Sequence, residues 1–265
     1  MIIDFHTHIF PDNIAEKSIK FLEDECNSKA YTNGTLSALK SSMKKAGIDI
    51  SVVLPVATKP SQFDSINNFA ASITGKEGII SFGGIHPDTE DIINKLSKIK
   101  ELGLKGIKLH PDYQKTFIDA PKMIRLIRQA ALFDLIIVIH AGLDIGLPDP
   151  VHCPPAKTAN MLEQIECDNA KIVLAHMGGY DMWDDVEKYL LGKNVWLDTS
   201  YCLGKMPDEQ FLRIIRRHGA NRILFATDSP WADQKETVDY IQKLGLAENE
   251  LECIFYKNAR ALLDE

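Results

Sequence analysis

The chain alternates short apolar runs of strand length with polar turns and helical patterns. Fully apolar runs that alternate with helices are typical of parallel strands covered by helices. Eight units of this kind favour a closed (β/α)₈ barrel, a TIM barrel, over an open sheet. We therefore predict a single α/β domain spanning residues 1–265. The eight predicted strands are Ile2–Phe5, Ile50–Leu54, Ile79–Ile85, Lys105–Leu109, Leu135–Ile139, Lys171–Ala175, Val195–Asp198 and Ile223–Ala226.

Two segments interrupt the simple alternation. Residues 9–34 insert a helical stretch, Asn13–Asn27, after the first strand, and residues 141–155 form a loop rich in glycine, proline and aspartate after the fifth. Active sites of such barrels lie at the carboxyl ends of the strands, where both segments would also lie. They are candidate lids over a substrate. Residues Glu248–Leu263 predict a last helix.

Composition and charge indicate an ordinary globular protein rather than a nucleic-acid binder. Hydrophobic residues make up 45% of the chain, and the net charge is −7. An acidic chain repels phosphates overall, so we expect a small-molecule substrate and no nucleic-acid partner. The sequence contains neither a G-x-G-x-x-G nor a G-x-x-x-x-G-K-[ST] motif, which argues against the main nucleotide-binding folds.

The cysteines and the apolar segments indicate the cellular compartment in which the protein is expected. Five scattered cysteines without a C-x-x-C spacing argue against a disulfide framework or a zinc ribbon and favour a reducing compartment. The N-terminus shows no signal-peptide pattern, and apolar runs are too short to cross a membrane. We therefore expect a cytoplasmic protein without a membrane partner.

The histidines follow the predicted strands. Of eight histidines, six lie at or just after a strand's carboxyl end, and an aspartate ends the eighth strand. In a closed parallel barrel these ends converge on one rim, so residues distant in sequence become neighbours. The residues concerned are His6, His8, His86, His110, His140, His176 and Asp228.

A subset of these residues suits a metal ion. His6 and His8 share one side of a strand, because alternate residues point the same way. His140 and Asp228 end two other strands and would complete three imidazoles and one carboxylate, with a position left for water. This donor set favours zinc, with iron, manganese or cobalt as alternatives. The competing interpretations are solvated loop histidines, a buried core His140 and a helix-capping Asp228.

Five motifs, in order along the strand ends, resemble the amidohydrolase superfamily over nearly the whole chain. The branch that they resemble, amidohydrolase family 2, contains metal-dependent hydrolases and decarboxylases on TIM barrels. The closing residues 258–263 also look like the last helix of that family. The motifs are Asp4-Phe5-His6-Thr7-His8, Gly106-Ile107-Lys108-Leu109-His110-Pro111, Val138-Ile139-His140-Ala141-Gly142, Leu174-Ala175-His176-Met177-Gly178-Gly179 and Thr227-Asp228-Ser229-Pro230.

The resemblance implies a metal site and a catalytic group. His6, His8, His140 and Asp228 would bind one divalent metal, and His176 would act in catalysis. If Lys108 were carboxylated, it would bridge two metals and make His176 a ligand of the second. Pairing of Lys108 with a carboxylate or a substrate anion is the alternative, and we expect one metal. The resemblance is also compatible with a homodimer.

Further residues are candidates for binding the substrate. His86, His110 and His152 would line the pocket, although His-Pro-Asp also suits a turn and His152 could face solvent. Trp183 and Trp231 would form apolar walls or pack against helices. Asp198 and Ser200 are expected to be structural.

The expected activity is hydrolysis of a small amide, ester or lactone. Asp228 would accept a proton from the attacking water, and His176 would stabilise the water or the developing oxyanion. Decarboxylation of a small unsaturated or aromatic acid is the alternative, with Lys108 or Lys115 as a carboxylate anchor. A barrel that only binds a ligand is a third, less favoured interpretation.

Overall fold

The computed structural model describes residues 1–147 and 149–264. Pro148 in the predicted loop 141–155 and Glu265 at the end of the predicted domain lie outside the described residues. The described strands are β1 (Ile3–Thr7), β2 (Ile50–Val53), β3 (Ile79–Ser81), β4 (Gly83–Gly84), β5 (Gly106–Leu109), β6 (Ile136–Ile139), β7 (Ile172–Leu174), β8 (Trp196–Asp198) and β9 (Ile223–Leu224). Strands β3 and β4 are separated by Phe82 alone, and together they occupy the predicted third strand.

The strands form one closed parallel barrel. Each strand pairs in parallel with its neighbours in the orders β1-β2-β3 and β4-β5-β6-β7-β8-β9. The Phe82 amide joins the two sheets by donating to the Val53 carbonyl at 2.9 Å. A parallel bridge between Thr7 and Ser229 closes the ring. The predicted TIM barrel is confirmed.

Helices follow most of the strands and cover the barrel. Helix α1 agrees within one residue with the predicted helix Asn13–Asn27, whereas a π-helical turn, Cys253–Lys257, interrupts the predicted last helix. Among the described residues, no helix is long and apolar enough to cross a membrane. The helices are α1 (Asp12–Cys26), α2 (Leu36–Ala46), α3 (Phe63–Ile73), α4 (Ile92–Glu101), α5 (Pro121–Leu132), α6 (Pro155–Gln164), α7 (Trp183–Tyr189), α8 (Asp208–His218), α9 (Gln234–Lys243), α10 (Glu248–Glu252) and α11 (Asn258–Leu263).

The core divides into an inner cluster and a larger cluster under the helices. Alternate residues of a strand point to opposite faces, and β6 shows this directly. Ile136 and Val138 pack in the inner cluster, whereas Ile137 and Ile139 pack in the outer one. Because both faces of most strands are buried, the strands are mainly apolar, and this is why the sequence pattern predicts them well. The exceptions include Asp4, His6 and Lys108, which are buried polar residues of β1 and β5.

Candidate active site

The carboxyl ends of the strands surround a cavity of about 710 Å³. Both candidate lids contribute to its wall, since residues of α1 and of the loop after β6 line it. The structure thus brings most of the predicted site residues to one place. The predicted metal-binding, catalytic and substrate-binding residues that line the cavity are His6, His8, Lys108, His110, His140, His176 and Asp228.

His6, His8 and Asp228 form the tightest group in this cavity. The Nε2 atoms of His6 and His8 lie 3.1 Å apart. Asp228 Oδ1 lies 3.4 Å from His6 Nε2 and 3.2 Å from His8 Nε2. Ligands at the usual distances from a divalent metal are separated by roughly 3.0–3.5 Å. The spacing of these three atoms therefore fits a shared metal ion.

The Nδ1 atoms of His6 and His8 are hydrogen-bonded, and these hydrogen bonds define the tautomer of each ring. His6 Nδ1 lies 2.9 Å from Asp198 Oδ2, and His8 Nδ1 lies 2.8 Å from the carbonyl oxygen of Leu54. Since both partners only accept, each Nδ1 carries the proton, and a neutral ring then presents a lone pair at Nε2.

Asp228 is the third member of this group, and its carboxyl group is ionised. Burial raises its pKa, but positive charge on His6 and His8 and a hydrogen bond from His8 outweigh burial and hold the pKa below its ordinary value. When both rings are neutral and carry the proton at Nδ1, the Asp228 carboxylate and the two Nε2 lone pairs face one another. A proton, the nearby Lys108 ammonium or a divalent metal can supply the positive charge that these three atoms face.

Lys108 lies directly beside this group. Its side chain is 1% exposed, and Nζ lies 3.1 Å from His6 Nε2. Burial lowers the pKa of Lys108 to about 8, while Asp198 and Asp228 oppose that decrease. The position suits an ammonium near a metal as well as a modified bridging lysine, so the bridging role stays a prediction.

His140 belongs to a second group, with His110 and Asp144. Asp144 Oδ2 lies 3.3 Å from His110 Nε2 and 3.9 Å from His140 Nε2. The two rings stack with centroids 4.0 Å apart and planes 9° from parallel. Because an imidazole lone pair lies in the ring plane, stacked rings cannot direct both lone pairs at one ion. The second group therefore fits a metal poorly despite its spacing.

His176 links His140 to the rest of the site. His176 Nδ1 lies 3.0 Å from the carbonyl oxygen of Ser200, so it carries a proton, and Nε2 lies 3.0 Å from His140 Nδ1. His140 Nδ1 can then donate to His176, which leaves a lone pair on His140 Nε2. That atom is buried and has no hydrogen-bond partner among the described residues. The unpaired atom supports His140 as a further metal ligand, although it lies outside the first group.

Asp198 and Ser200, expected to be structural, hold the histidines in place. Asp198 Oδ2 contacts His6, while Oδ1 accepts hydrogen bonds from the backbone amides of His176 and Ser200, both at 3.0 Å. One buried carboxylate thus orients two predicted site residues.

Asp4 holds the Asp228 turn. Its Oδ2 accepts from Thr227 Oγ1 at 2.6 Å and from Gln234 Nε2 at 2.7 Å. The Asp228 amide in turn donates to the His6 carbonyl at 2.8 Å. These bonds join the first and last strands where the metal group forms.

Two predicted substrate-binding residues, His86 and His152, are not among the residues that line the cavity. His86 Nδ1 accepts from the Asp88 amide at 3.1 Å, which is the alternative turn interpretation. His152 Nδ1 lies 3.0 Å from Asp112 Oδ1, and the His152 ring packs on the ring of Phe117.

Of the other residues predicted to form the cavity wall, some line the cavity and others do not. Trp231 lines the cavity, whereas Trp183 is buried and donates its indole N–H to the His176 carbonyl. Lys115 is absent from the described lining. Sequence reasoning did not name Asp144, Tyr180 or Tyr201 as site residues. A signal for Asp144 is its place four residues after His140 in a predicted lid.

Residues 3–264 match the family described as amidohydrolase. No curated protein matches the chain at significant sequence similarity.

Several solved structures share the fold. An uncharacterized TIM-barrel protein from Bordetella bronchiseptica superimposes with a TM-score of 0.78 at 17% identity, covering 99% of this chain and 98% of that one. A dihydroxybenzoic acid decarboxylase from Polaromonas, with bound manganese and the inhibitor 2-nitroresorcinol, gives 0.73 at 17% identity, with 99% and 96% coverage. A Pseudomonas putida protein provisionally named 2-pyrone-4,6-dicarboxylic acid hydrolase gives 0.68 at 17%, with 99% and 97% coverage.

Proposed function

The chain belongs to the amidohydrolase family, and on that premise we propose that it is a metal-dependent hydrolase of a small amide, ester or lactone. The observation that carries the proposal is the meeting of three acceptor atoms, His6 Nε2, His8 Nε2 and Asp228 Oδ1, within 3.1–3.4 Å of one another at the cavity. These acceptors suit a cation between them, and they line the cavity, which has room for water and substrate.

The proposed metal ligands are His6, His8 and Asp228, with His140 as the fourth. A divalent metal there supplies a Lewis acid for the carbonyl and a water of lowered pKa. Zinc is our proposal because two or three imidazoles and a carboxylate suit it. Manganese is the alternative, since a structural neighbour of this fold binds it.

The chain's own residues then provide proton transfer and charge stabilisation. Asp228 is the proposed proton acceptor, because its lowered pKa keeps it ionised at neutral pH. Lys108 would stabilise negative charge that develops at the base of the cavity. His176 is held by Ser200 and His140, so we propose that it acts through the orientation and protonation state of His140.

Decarboxylation is a second candidate, favoured by one feature of the cavity. Lys108 places a cation beside the metal group, and the same cavity is lined by Tyr113, Tyr180, Tyr201 and Trp231. A buried cation among aromatic side chains suits an aromatic carboxylate. Two of the neighbouring structures with this fold are named 2,6-dihydroxybenzoate decarboxylases.

Metal analysis and a two-product assay test the proposal. Purified protein should contain close to one equivalent of divalent metal, and removal by a chelator should abolish turnover until zinc or manganese is restored. A panel of lactones, esters, amides and aromatic acids is then assayed for acid release and for CO₂. Acid release without CO₂ supports the hydrolase, CO₂ release supports the decarboxylase, and a folded protein without affinity for metal contradicts both.

A further inference from the structure

Helix α1 presents two different faces to the rest of the molecule. Ala15 and Ile19 are buried on the face that packs against the fold. Six other residues of α1 line the cavity at spacings of three and four, so they share one side of the helix: Ile14, Lys17, Ser18, Phe21, Leu22 and Cys26.

The cavity-lining side of α1 carries apolar groups that the protein itself leaves exposed. Phe21 is 61% exposed and Ile14 is 45% exposed. Helix α3 contributes Ser65, Ile66 and Phe69 to the same cavity, again at spacings of three and four. We call Ile14, Phe21, Leu22, Ile66 and Phe69 the apolar groove.

The groove is continuous with the proposed metal ligands and carries little charge. The cavity volume of about 710 Å³ lies in the range of pockets for drug-sized molecules. Among the described lining residues there is no arginine, and the lysines are Lys108 beside His6 and Lys17 on α1. A substrate with several anionic groups away from its reacting carbon would find few partners here.

We infer that the substrate carries a long or bulky uncharged apolar group, which lies in the apolar groove while its reacting carbonyl lies at His6, His8 and Asp228. The inference rests on the proposed function for the position of the reacting carbonyl. The occupant of the groove is the substrate itself, since the groove runs into the cavity of the metal ligands. Ile14 and Phe21 are then specificity-determining residues.

Alkylhydroxamates test this inference, because their head group binds metals and their chain length can be varied. Binding of the C2 to C10 compounds to the metal-loaded protein is measured by calorimetry. Each methylene that enters the groove should tighten binding about fourfold, the equivalent of about 0.8 kcal/mol. Equal affinity at all chain lengths would overturn the inference and leave the metal site standing.

A pair of isoleucine variants locates the chain-length effect. Ile14→Ser should weaken the C10 compound by roughly tenfold and leave the C2 compound unchanged. Ile93→Ser is the matched control, because Ile93 is a 57% exposed isoleucine on α4 that is not among the lining residues. Equal losses in the two variants would contradict the groove.

Primary alcohols from C4 to C10 separate failure of the inference from failure of the proposed function. They lack a strong metal-binding group, so their affinity reports the groove alone. If no hydroxamate binds while alcohols bind more tightly with length, the metal site fails and the groove stands. If neither series depends on length, the groove is contradicted.

Discussion

The Nδ1 atom of His6 lies 2.9 Å from Oδ2 of Asp198, and both side chains are buried. Because the carboxylate accepts the Nδ1 proton, the His6 Nε2 lone pair is directed toward His8 and Asp228. Carboxylates behind metal-binding histidines commonly orient the ring and raise its basicity. The chemistry of the candidate metal group therefore depends on a residue that does not itself belong to it.

Replacing Asp198 with asparagine should weaken metal binding by about 10- to 100-fold. The asparagine amide can donate to His6 Nδ1, and the ring proton then moves to Nε2, where it blocks the ligand atom. Metal affinity is measured by competition with a chromogenic chelator. Asp112→Asn is the matched control, because Asp112 is a buried carboxylate paired with His152 outside the cavity lining. Unchanged metal affinity in the Asp198→Asn variant would show that metal binding does not need the contact between Asp198 and His6.

Asp228→Asn should lower kcat by roughly 10²- to 10⁴-fold, because the amide cannot accept the proton that the carboxylate accepts. The side chains have nearly the same shape, so the thermal unfolding midpoint should change little. Turnover and metal content are measured on the same preparation. Near-normal kcat with metal bound would remove Asp228 from proton transfer.

The burial of Lys108 predicts a pH-dependent stability of the metal-free protein. Its pKa is about 8 in the folded protein and 10.5 for the ordinary side chain, so the unfolded chain binds more protons between these values. Lys108 by itself should therefore add about 3 kcal/mol to the free energy of unfolding between pH 8 and pH 10.5. Buried cysteines such as Cys153, whose pKa burial raises to about 12, oppose this gain, so the contribution of Lys108 is read from the difference between the wild type and a variant.

Lys108→Met removes this contribution and identifies its source. The variant should be more stable than the wild type at pH 7, and the difference should shrink as pH rises toward 10.5. Urea unfolding at several pH values measures both proteins after metal removal. Parallel pH profiles would mean that Lys108 titrates with its ordinary pKa.

Gly142 joins the candidate lid after β6 to the turn after β7. It adopts a φ of +85°, and an added Cβ would lie 2.1 Å from the Tyr180 amide nitrogen. Gly142→Ala should therefore destabilise the fold by about 3 kcal/mol or more, from a backbone clash in addition to the cost of positive φ. Gly192→Ala is the matched control: φ there is +79°, with nothing within 4 Å of the added Cβ.

Unfolding free energies of the two alanine variants separate these costs. Gly192→Ala should lose only about 1 kcal/mol, the strain of the left-handed conformation. Equal losses in both variants would show that the turn shifts to accommodate the methyl group.

The sequence alone determined the barrel and the rim on which its polar residues meet. Strands buried on both faces are mostly apolar, so runs such as Leu135–Ile139 can be identified locally. Once parallel strands close into a ring, their carboxyl ends lie together whatever the loops do. His6, His8, His176 and Asp228 therefore reach one cavity, as the strand pattern predicts.

Only the tertiary structure decided which side chains contact one another within that cavity. The sequence places His140 at the rim, but its ring plane follows from stacking on His110 and a hydrogen bond with His176. The position of Asp144, the proton on His6 Nδ1 and the exclusion of His152 from the lining likewise depend on contacts between distant segments. Backbone periodicity specifies where a strand ends, whereas a side chain's rotamer and protonation state depend on partners that only folding brings near.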